Sequence, residues 1–121
     1  FGARSAMEPR LKTDLWIKAI IKRCLARGIP ATVARRGDGD AGMVFVKLNR
    51  LEEGCIVYSR QRDYEGSLVW TPATGADPVP EVDADTYLQR QLDFDPDLWI
   101  LEIEDRDGWV PFADEGVGQG E

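Results

Sequence analysis

The feature that most constrains the fold is a short apolar run, Leu98 to Glu104, bounded on both sides by residues that interrupt regular structure. Asp95-Pro96-Asp97 precedes it and Asp105-Arg106-Asp107-Gly108 follows it, so the run is too short for a helix and is predicted to be extended. Its side chains alternate as in a half-buried strand, with Trp99, Leu101 and Ile103 on one side and Glu102 and Glu104 on the other. We therefore predict that this run is the late strand that closes a small sheet.

A helix is predicted near the beginning of the chain. Thr13 or Asp14 can cap its first turn, and Gly28, with Pro30 just beyond it, ends the helix at about Arg27. Six apolar side chains recur at helical spacing and share one face: Trp16, Ile17, Ile20, Ile21, Cys24 and Leu25. This pattern is typical of a helix that packs on a core.

Four apolar segments separated by turn residues lie between this helix and residue 72. The predicted strands are 29–35, 41–50, 55–60 and 67–71, with turns at 36–40, 52–54 and 64–66. Because the connections are short, the four strands are predicted to follow one another as antiparallel neighbours in a meander.

A second helix is predicted from about Val82 to Leu92. Its packing face is formed by Ala84, Tyr87, Leu88, Gln91 and Leu92. The segment Trp109 to Phe112 could pair back at a sheet edge, where Pro111 is tolerated.

The predicted fold class is α+β: an antiparallel sheet (a meander) of four to six strands with two helices, in the order α-β-β-β-β-α-β. Both faces of the segment 43–48 are partly apolar. We expect both helices to cover one face of the sheet and a second copy of the protein to cover the other.

The chain length of 121 residues corresponds to one domain with a single core. Residues 1–6 are predicted to be a leftover from expression cloning, residues 7–115 a single α+β domain, and residues 116–121 a frayed tail. No apolar run approaches the roughly 18 residues that a membrane span needs, and the first residues lack the apolar core of a signal peptide. Cys24 and Cys55 fit no metal or redox motif, so we expect buried free thiols and a cytoplasmic location.

Charge is distributed unevenly along the chain. Residues 1–36 carry nine basic and two acidic residues, a net charge of +7. Residues 37–121 carry six basic and twenty acidic residues, a net charge of −14. The overall net charge of −7 disfavours general nucleic-acid binding. The basic part nevertheless predicts a partner-binding surface formed by Lys18, Lys22, Arg23, Arg27, Arg35 and Arg36.

Three kinds of partner remain open for this basic surface. It could face the acidic part of the same chain or of a second copy, it could bind the phosphates of a nucleic acid, or it could bind an acidic protein. Individual exposed ion pairs contribute only about 0–1 kcal/mol, so such a surface would orient a partner more than it would stabilise the fold.

The absence of histidine limits the possible chemistry. It excludes Ser-His-Asp and Cys-His triads and histidine-ligated zinc, and no cofactor is predicted. Whether the protein is an enzyme stays open, although the lack of histidine favours a protein without catalytic activity.

Two acidic groups are weak candidates for a divalent metal. Asp93, Asp95, Asp97 and Glu104 occupy positions one, three, five and twelve of a calcium loop, but the sixth position, which needs glycine, is Leu98. Glu102 and Glu104 lie on one face of the late strand, where they could share an ion. Solvated turn and surface charge is the simpler interpretation of both groups.

The glycine-rich segment 36–42 contains Arg36-Gly37-Asp38, which we interpret as a hairpin turn. Gly37, Gly39 and Gly42 do not form a phosphate-binding loop, because no Lys-Ser/Thr pair follows them and no helix begins there.

Three segments resemble a family of uncharacterised small bacterial proteins, domain of unknown function 1491. They are Pro9-Arg10-Leu11-Lys12-Thr13-Asp14-Leu15-Trp16, Ala34-Arg35-Arg36-Gly37-Asp38 leading into Gly42 to Lys47, and Phe94 to Asp105. The resemblance covers nearly everything from Met7 to Phe112. It implies a bacterial cytoplasmic protein of a kind found mainly in alphaproteobacteria, and it carries over no activity and no catalytic residue.

Together these features predict a non-enzymatic protein-interaction or self-associating module, with a homodimer as one form. The alternatives are a nucleic-acid-binding protein that uses the basic first helix, or a divalent-metal enzyme based on Asp95, Asp97, Glu102 or Glu104.

Overall fold

The computed structural model describes residues 12–40, 42–62, 65 and 68–112. The predicted leftover at 1–6 and the predicted tail at 116–121 lie outside this part of the chain. The predicted element order is confirmed. The elements are α1 (Thr13–Ala26), β1 (Ala31–Arg35), β2 (Val44–Asn49), β3 (Cys55–Arg62), β4 (Leu68–Pro72), α2 (Glu81–Phe94) and β5 (Trp99–Glu104), with a short 3-10 turn at Leu51–Glu53.

The sheet is mixed, and this corrects the predicted antiparallel meander. Its strand order is β1-β5-β2-β3-β4, so β5 lies between β1 and β2. Strand β5 runs antiparallel to β1 and parallel to β2, while β2, β3 and β4 form the antiparallel part. Strand β5 lies inside the sheet because its apolar residues do not simply alternate: all four residues from Leu98 to Leu101 are buried. Only an interior strand is covered on both faces and can bury such a continuous run.

Residues 36–40 and Gly42 lie across the start of β5, and the predicted hairpin turn is wrong because β5 separates β1 from β2. The backbone N–H of Asp38 donates to Asp97 O at 2.8 Å, and Trp99 Nε1 donates to Asp38 O at 2.7 Å. A Cβ atom on Gly37 would collide with Asp97 O, and one on Gly42 would lie 2.7 Å from the same oxygen. Gly37 and Gly42 therefore allow a close approach to the backbone at the start of β5.

The two helices cover opposite faces of the sheet, so the expectation that they share one face is wrong. Side chains at alternate positions of β2 separate into two clusters. Helix α1 packs with Val44, Val46 and Leu48, and α2 packs on the other side with Phe45. Because α2 covers the second face, that face does not need a second copy to cover it.

Helix α1 ends as its sequence predicts, with Gly28 at φ 73° after the last turn. Four of its predicted packing residues, Trp16, Ile17, Ile20 and Cys24, are buried, whereas Leu25 is exposed. Leu25 is therefore a surface residue and not part of the core.

A stack of aromatic rings fills the core between α1 and the β3–β4 side of the sheet. Trp16 stacks on Trp70 with ring centroids 5.3 Å apart, and Trp70 stacks on Phe112 at 4.3 Å. Tyr58 meets Phe112 edge-on at 5.3 Å. The segment Trp109 to Phe112 thus forms no edge strand in the described chain. It is held instead by a buried phenylalanine.

Candidate functional site: an exposed helix stripe and a buried lysine

The solvent side of α1 carries a stripe of lysines, leucines and alanines, which we call the α1 stripe. Leu15 is 48% exposed and Leu25 is 59% exposed. The other members are also exposed, and the whole stripe consists of Leu15, Lys18, Ala19, Lys22, Leu25 and Ala26. Leu15 and Leu25 are ten residues apart, roughly 15 Å along the helix, so each adds a separate apolar contact beside the lysines of the stripe.

The predicted basic residues do not form one patch. Lys18, Lys22 and Arg23 are exposed along α1, and Arg27 at its end lies over the Trp109 ring at 4.3 Å. The other two arginines lie near the opposite end of the helix, beside the start of β5. Arg35 Nη2 donates to Pro96 O at 2.9 Å, and the Arg36 guanidinium lies 5.2 Å from the Trp99 ring centroid.

Helices α1 and α2 carry opposite charge on opposite faces of the sheet. Helix α2 has acidic residues in its first turn and no basic residue in its last turn. Among the described residues, neither Lys18 nor Lys22 forms an ion pair, and the sheet separates both from α2. The lysines of α1 are therefore not neutralised by the acidic helix of their own chain.

A buried lysine lies on the α2 face of the sheet. The Lys47 side chain on β2 is only 7% exposed, and its Nζ lies 2.7 Å from Glu81 Oε2 and 2.7 Å from Asp85 Oδ1. Glu102 Oε1 on β5 is 3.9 Å away. Asn49 Nδ2 donates to Glu102 Oε2 at 3.2 Å. This Lys47 cluster connects the first two turns of α2 to the two central strands.

The electrostatics of the Lys47 cluster favour a structural role. Burial lowers the pKa of Lys47, but the hydrogen bonds to Asp85 and Glu81 and the charge of Glu102 raise it by more. The pKa therefore lies above the ordinary value of a lysine. A lysine that stays protonated at neutral pH is neither a general base nor a nucleophile. Its ammonium group also occupies the space between the carboxylates where a cation would bind.

The weak metal candidates are not brought together. Asp93 accepts a hydrogen bond from Gln89 within α2, and Asp95 Oδ1 accepts one from the backbone N–H of Asp97. Glu104 lies at the far end of β5, roughly 17 Å along the strand from Trp99. In the described ranges, no group of three or more metal-ligating side chains is suitably arranged.

The pairing suggested for Glu102 and Glu104 also differs from the structure. Glu102 is half-buried against Lys47 and Asn49, whereas Glu104 is exposed. Sequence reasoning missed Lys47. The available signal was its position, because it is the only charged residue in the buried run Val44 to Leu48. A lysine at such a position needs carboxylate partners within reach, because a buried charge without a counter-charge is costly.

The comparisons with known proteins agree on one family. The family described as "Protein of unknown function (DUF1491)" matches residues 11–113. The chain belongs to the DUF1491 family. No protein of curated function matches it significantly.

Solved structures show the same DUF1491 fold. A crystal structure of a DUF1491 family protein from Caulobacter crescentus CB15 is 40% identical, covers 90% of this chain and 100% of its own, and superposes with a TM-score of 0.79. An NMR structure of a DUF1491 family protein from the same organism is 40% identical, with coverages of 86% and 94% and a TM-score of 0.71. A solution structure from A. tumefaciens is 26% identical, with coverages of 79% and 86% and a TM-score of 0.68.

In the described part of this DUF1491 chain, neither helix has the length and apolar character that crossing a bilayer requires.

Proposed function

We propose that this DUF1491 protein is a non-enzymatic interaction module whose α1 stripe binds an acidic protein surface. The observation that carries the proposal is the pair Lys18 and Lys22, exposed beside Leu15 and Leu25 and without an ion-pair partner in the described chain. An apolar stripe with positive charges matches a partner that offers apolar side chains and carboxylates.

The composition of the stripe favours a protein partner over a nucleic acid. Phosphate-binding surfaces consist mainly of hydrogen-bond donors, whereas four of the six residues of the α1 stripe are leucine or alanine. Two of the arginines are held away from the middle of the stripe, Arg27 over the Trp109 ring at one end of α1 and Arg35 by a hydrogen bond to Pro96 O near the other. The acidic opposite face would also repel a polyanion that wraps around the domain.

The first experiment identifies the partner and tests the surface together. Tagged protein is crosslinked in a lysate of the native bacterium, the captured proteins are identified by mass spectrometry, and a captured protein is then titrated against the purified domain. We expect Lys22→Glu to weaken this binding by about tenfold or more, because it places a carboxylate at the centre of the stripe.

A matched control is available on the other face. Arg90→Glu makes the same charge change on an exposed position of α2 and should leave the affinity within about twofold. If Lys22→Glu and Arg90→Glu weaken binding equally, net charge and not the α1 stripe determines the affinity. If the wild-type domain retains DNA or RNA at low salt and loses it steeply as salt rises, the nucleic-acid alternative replaces this proposal.

We also propose a reducing, cytoplasmic location. Cys24 and Cys55 are both buried free thiols, and burial raises the pKa of each. Such cysteines act as small apolar core residues and need no oxidising compartment. Fractionation of the native cells, followed by immunoblotting, tests the location, and recovery in the periplasmic fraction would contradict it.

A further inference from the structure

Strand β1 forms an open edge of the sheet. Within the described residues, its only neighbouring strand is β5, and four of its five residues are exposed. The other edge strand, β4, differs because Trp70 and Pro72 are buried there. In the part of the chain that the structure describes, the β1 edge is therefore the side of the sheet that is open to a further strand.

The direction of the backbone groups on β1 follows from its register with β5. Glu104 N donates to Pro30 O at 3.0 Å, and Thr32 lies opposite Glu102. Because hydrogen bonding alternates along an antiparallel ladder, residues 30 and 32 face β5, while Ala31 and Val33 direct their N–H and C=O groups outward. The N–H that Pro30 lacks would have faced inward, so this proline does not block the edge.

We infer that β1 pairs with β1 of a second copy, antiparallel about a two-fold axis at Thr32, so that the five described strands of each copy join in one continuous sheet. In this register, Ala31 of each copy lies opposite Val33 of the other. The outward N–H and C=O groups of these residues then form four hydrogen bonds between the two copies. The irregularity between Val33 and Arg35 ends the ladder at this point.

The side chains fit the same register. Thr32 lies opposite Thr32 of the second copy, which is a favourable cross-strand pair. The two copies of Arg35 lie on opposite sides of the axis, roughly 20 Å apart along the paired strands, so no two like charges face each other across the axis. Val33, which is 41% exposed on the α1 face, gains Ala31 of the second copy as a neighbour.

This pairing is separate from the proposed function. It uses the backbone of β1 and not the lysines of α1, so Lys22→Glu should leave the dimer intact. Loss of partner binding and loss of self-association can therefore be told apart.

Disulfide trapping tests the pairing and its register. Thr32→Cys places two thiols at a non-hydrogen-bonded pair, with Cβ atoms about 4.5–5.5 Å apart, and mild oxidation should convert most of the protein into a covalent dimer. Ala34→Cys is the control. It is exposed on the same strand, but the two copies of residue 34 lie roughly 13 Å apart. The native Cys24 and Cys55 are buried, and the wild-type protein supplies the background.

Light scattering over a concentration series provides an independent measurement. The wild type should approach the mass of two chains, and Thr32→Lys should raise the dimer dissociation constant at least tenfold, because it places two lysines opposite each other. Circular dichroism confirms that the variant is folded. A wild type that stays monomeric at millimolar concentration overturns the inference. Equal crosslinking through positions 32 and 34 overturns the register.

Discussion

Replacing Lys47 with methionine tests whether the Lys47 cluster holds α2 on the sheet. Methionine keeps most of the buried aliphatic volume but leaves Glu81, Asp85 and Glu102 without their shared counter-charge. Removing one partner of a fully buried ion pair costs about 3–5 kcal/mol. The carboxylate side chains are 56%, 56% and 30% exposed, so water screens part of the repulsion, and we expect a loss of about 2–3 kcal/mol.

Urea and thermal unfolding measure this loss. A domain of this size should lose roughly 8–15 °C in Tm. Lys22→Met is the matched control, because Lys22 is exposed and has no ion-pair partner in the described chain, and it should change the free energy of unfolding by less than about 0.5 kcal/mol. A Lys47→Met variant within 1 kcal/mol of the wild type would refute the role of the cluster.

The pH dependence provides a second readout of the same variant. The pKa of Lys47 is higher in the folded state than in the unfolded chain. The stability that the charged Lys47 contributes is therefore fully present below the unfolded pKa, about 10.4, and is lost as the pH rises through the folded pKa. The difference in stability between wild type and Lys47→Met should therefore be constant near neutrality and shrink in strong alkali. A difference that grows with pH would contradict this assignment.

Close packing around Gly37, Phe112 and the two cysteines can be tested by substitution and by labelling. Gly37→Ala should lower the free energy of unfolding by about 2–3 kcal/mol in urea titrations, because the added Cβ atom would collide with backbone atoms. Gly39→Ala is the control: its Cβ atom would have a nearest contact of 3.5 Å, so the free energy of unfolding should be nearly unchanged. Phe112→Ala should lower the free energy of unfolding by about 3–5 kcal/mol, because it empties a buried ring position. It should also weaken the near-ultraviolet circular dichroism of the tryptophans, and an unchanged spectrum would count against the aromatic stack. Cys24 and Cys55 should react with a thiol reagent far more slowly in the native protein than in guanidinium, and rapid native labelling would contradict their burial.

The sequence predicted the elements well, because helical periodicity and turn residues are local signals. The end of α1 at Gly28, the strand at 99–104 and the break before β5 follow from residues within a few positions of one another. The predicted cap by Thr13 or Asp14 is wrong, because Lys12 is the N-cap residue and no side chain caps the helix. The order of strands in the sheet depends on contacts between distant parts of the chain, which local signals do not show. The short connections therefore led to the wrong prediction of a meander. The continuous apolar run from Leu98 to Leu101 was the sign that β5 is central, and alternation alone did not reveal it.

The candidate site was predicted only in part. The basic residues of α1 are exposed, and their role in binding a partner stays a prediction. Sequence could not show that Arg27 and Arg36 lie over aromatic rings at opposite ends of the helix. Lys47 was missed because a lysine in a strand is usually on a solvated face. Placing the two helices on opposite faces of the sheet turns that position into a buried one.

The α1 stripe is the surface that we propose meets an acidic protein partner. Amide chemical-shift mapping of the isotope-labelled domain, titrated with the captured partner, tests it most directly. We predict that the largest shifts fall on residues 15–26, with little change along residues 81–94. Shifts concentrated on α2, or spread evenly over both helices, would contradict the account.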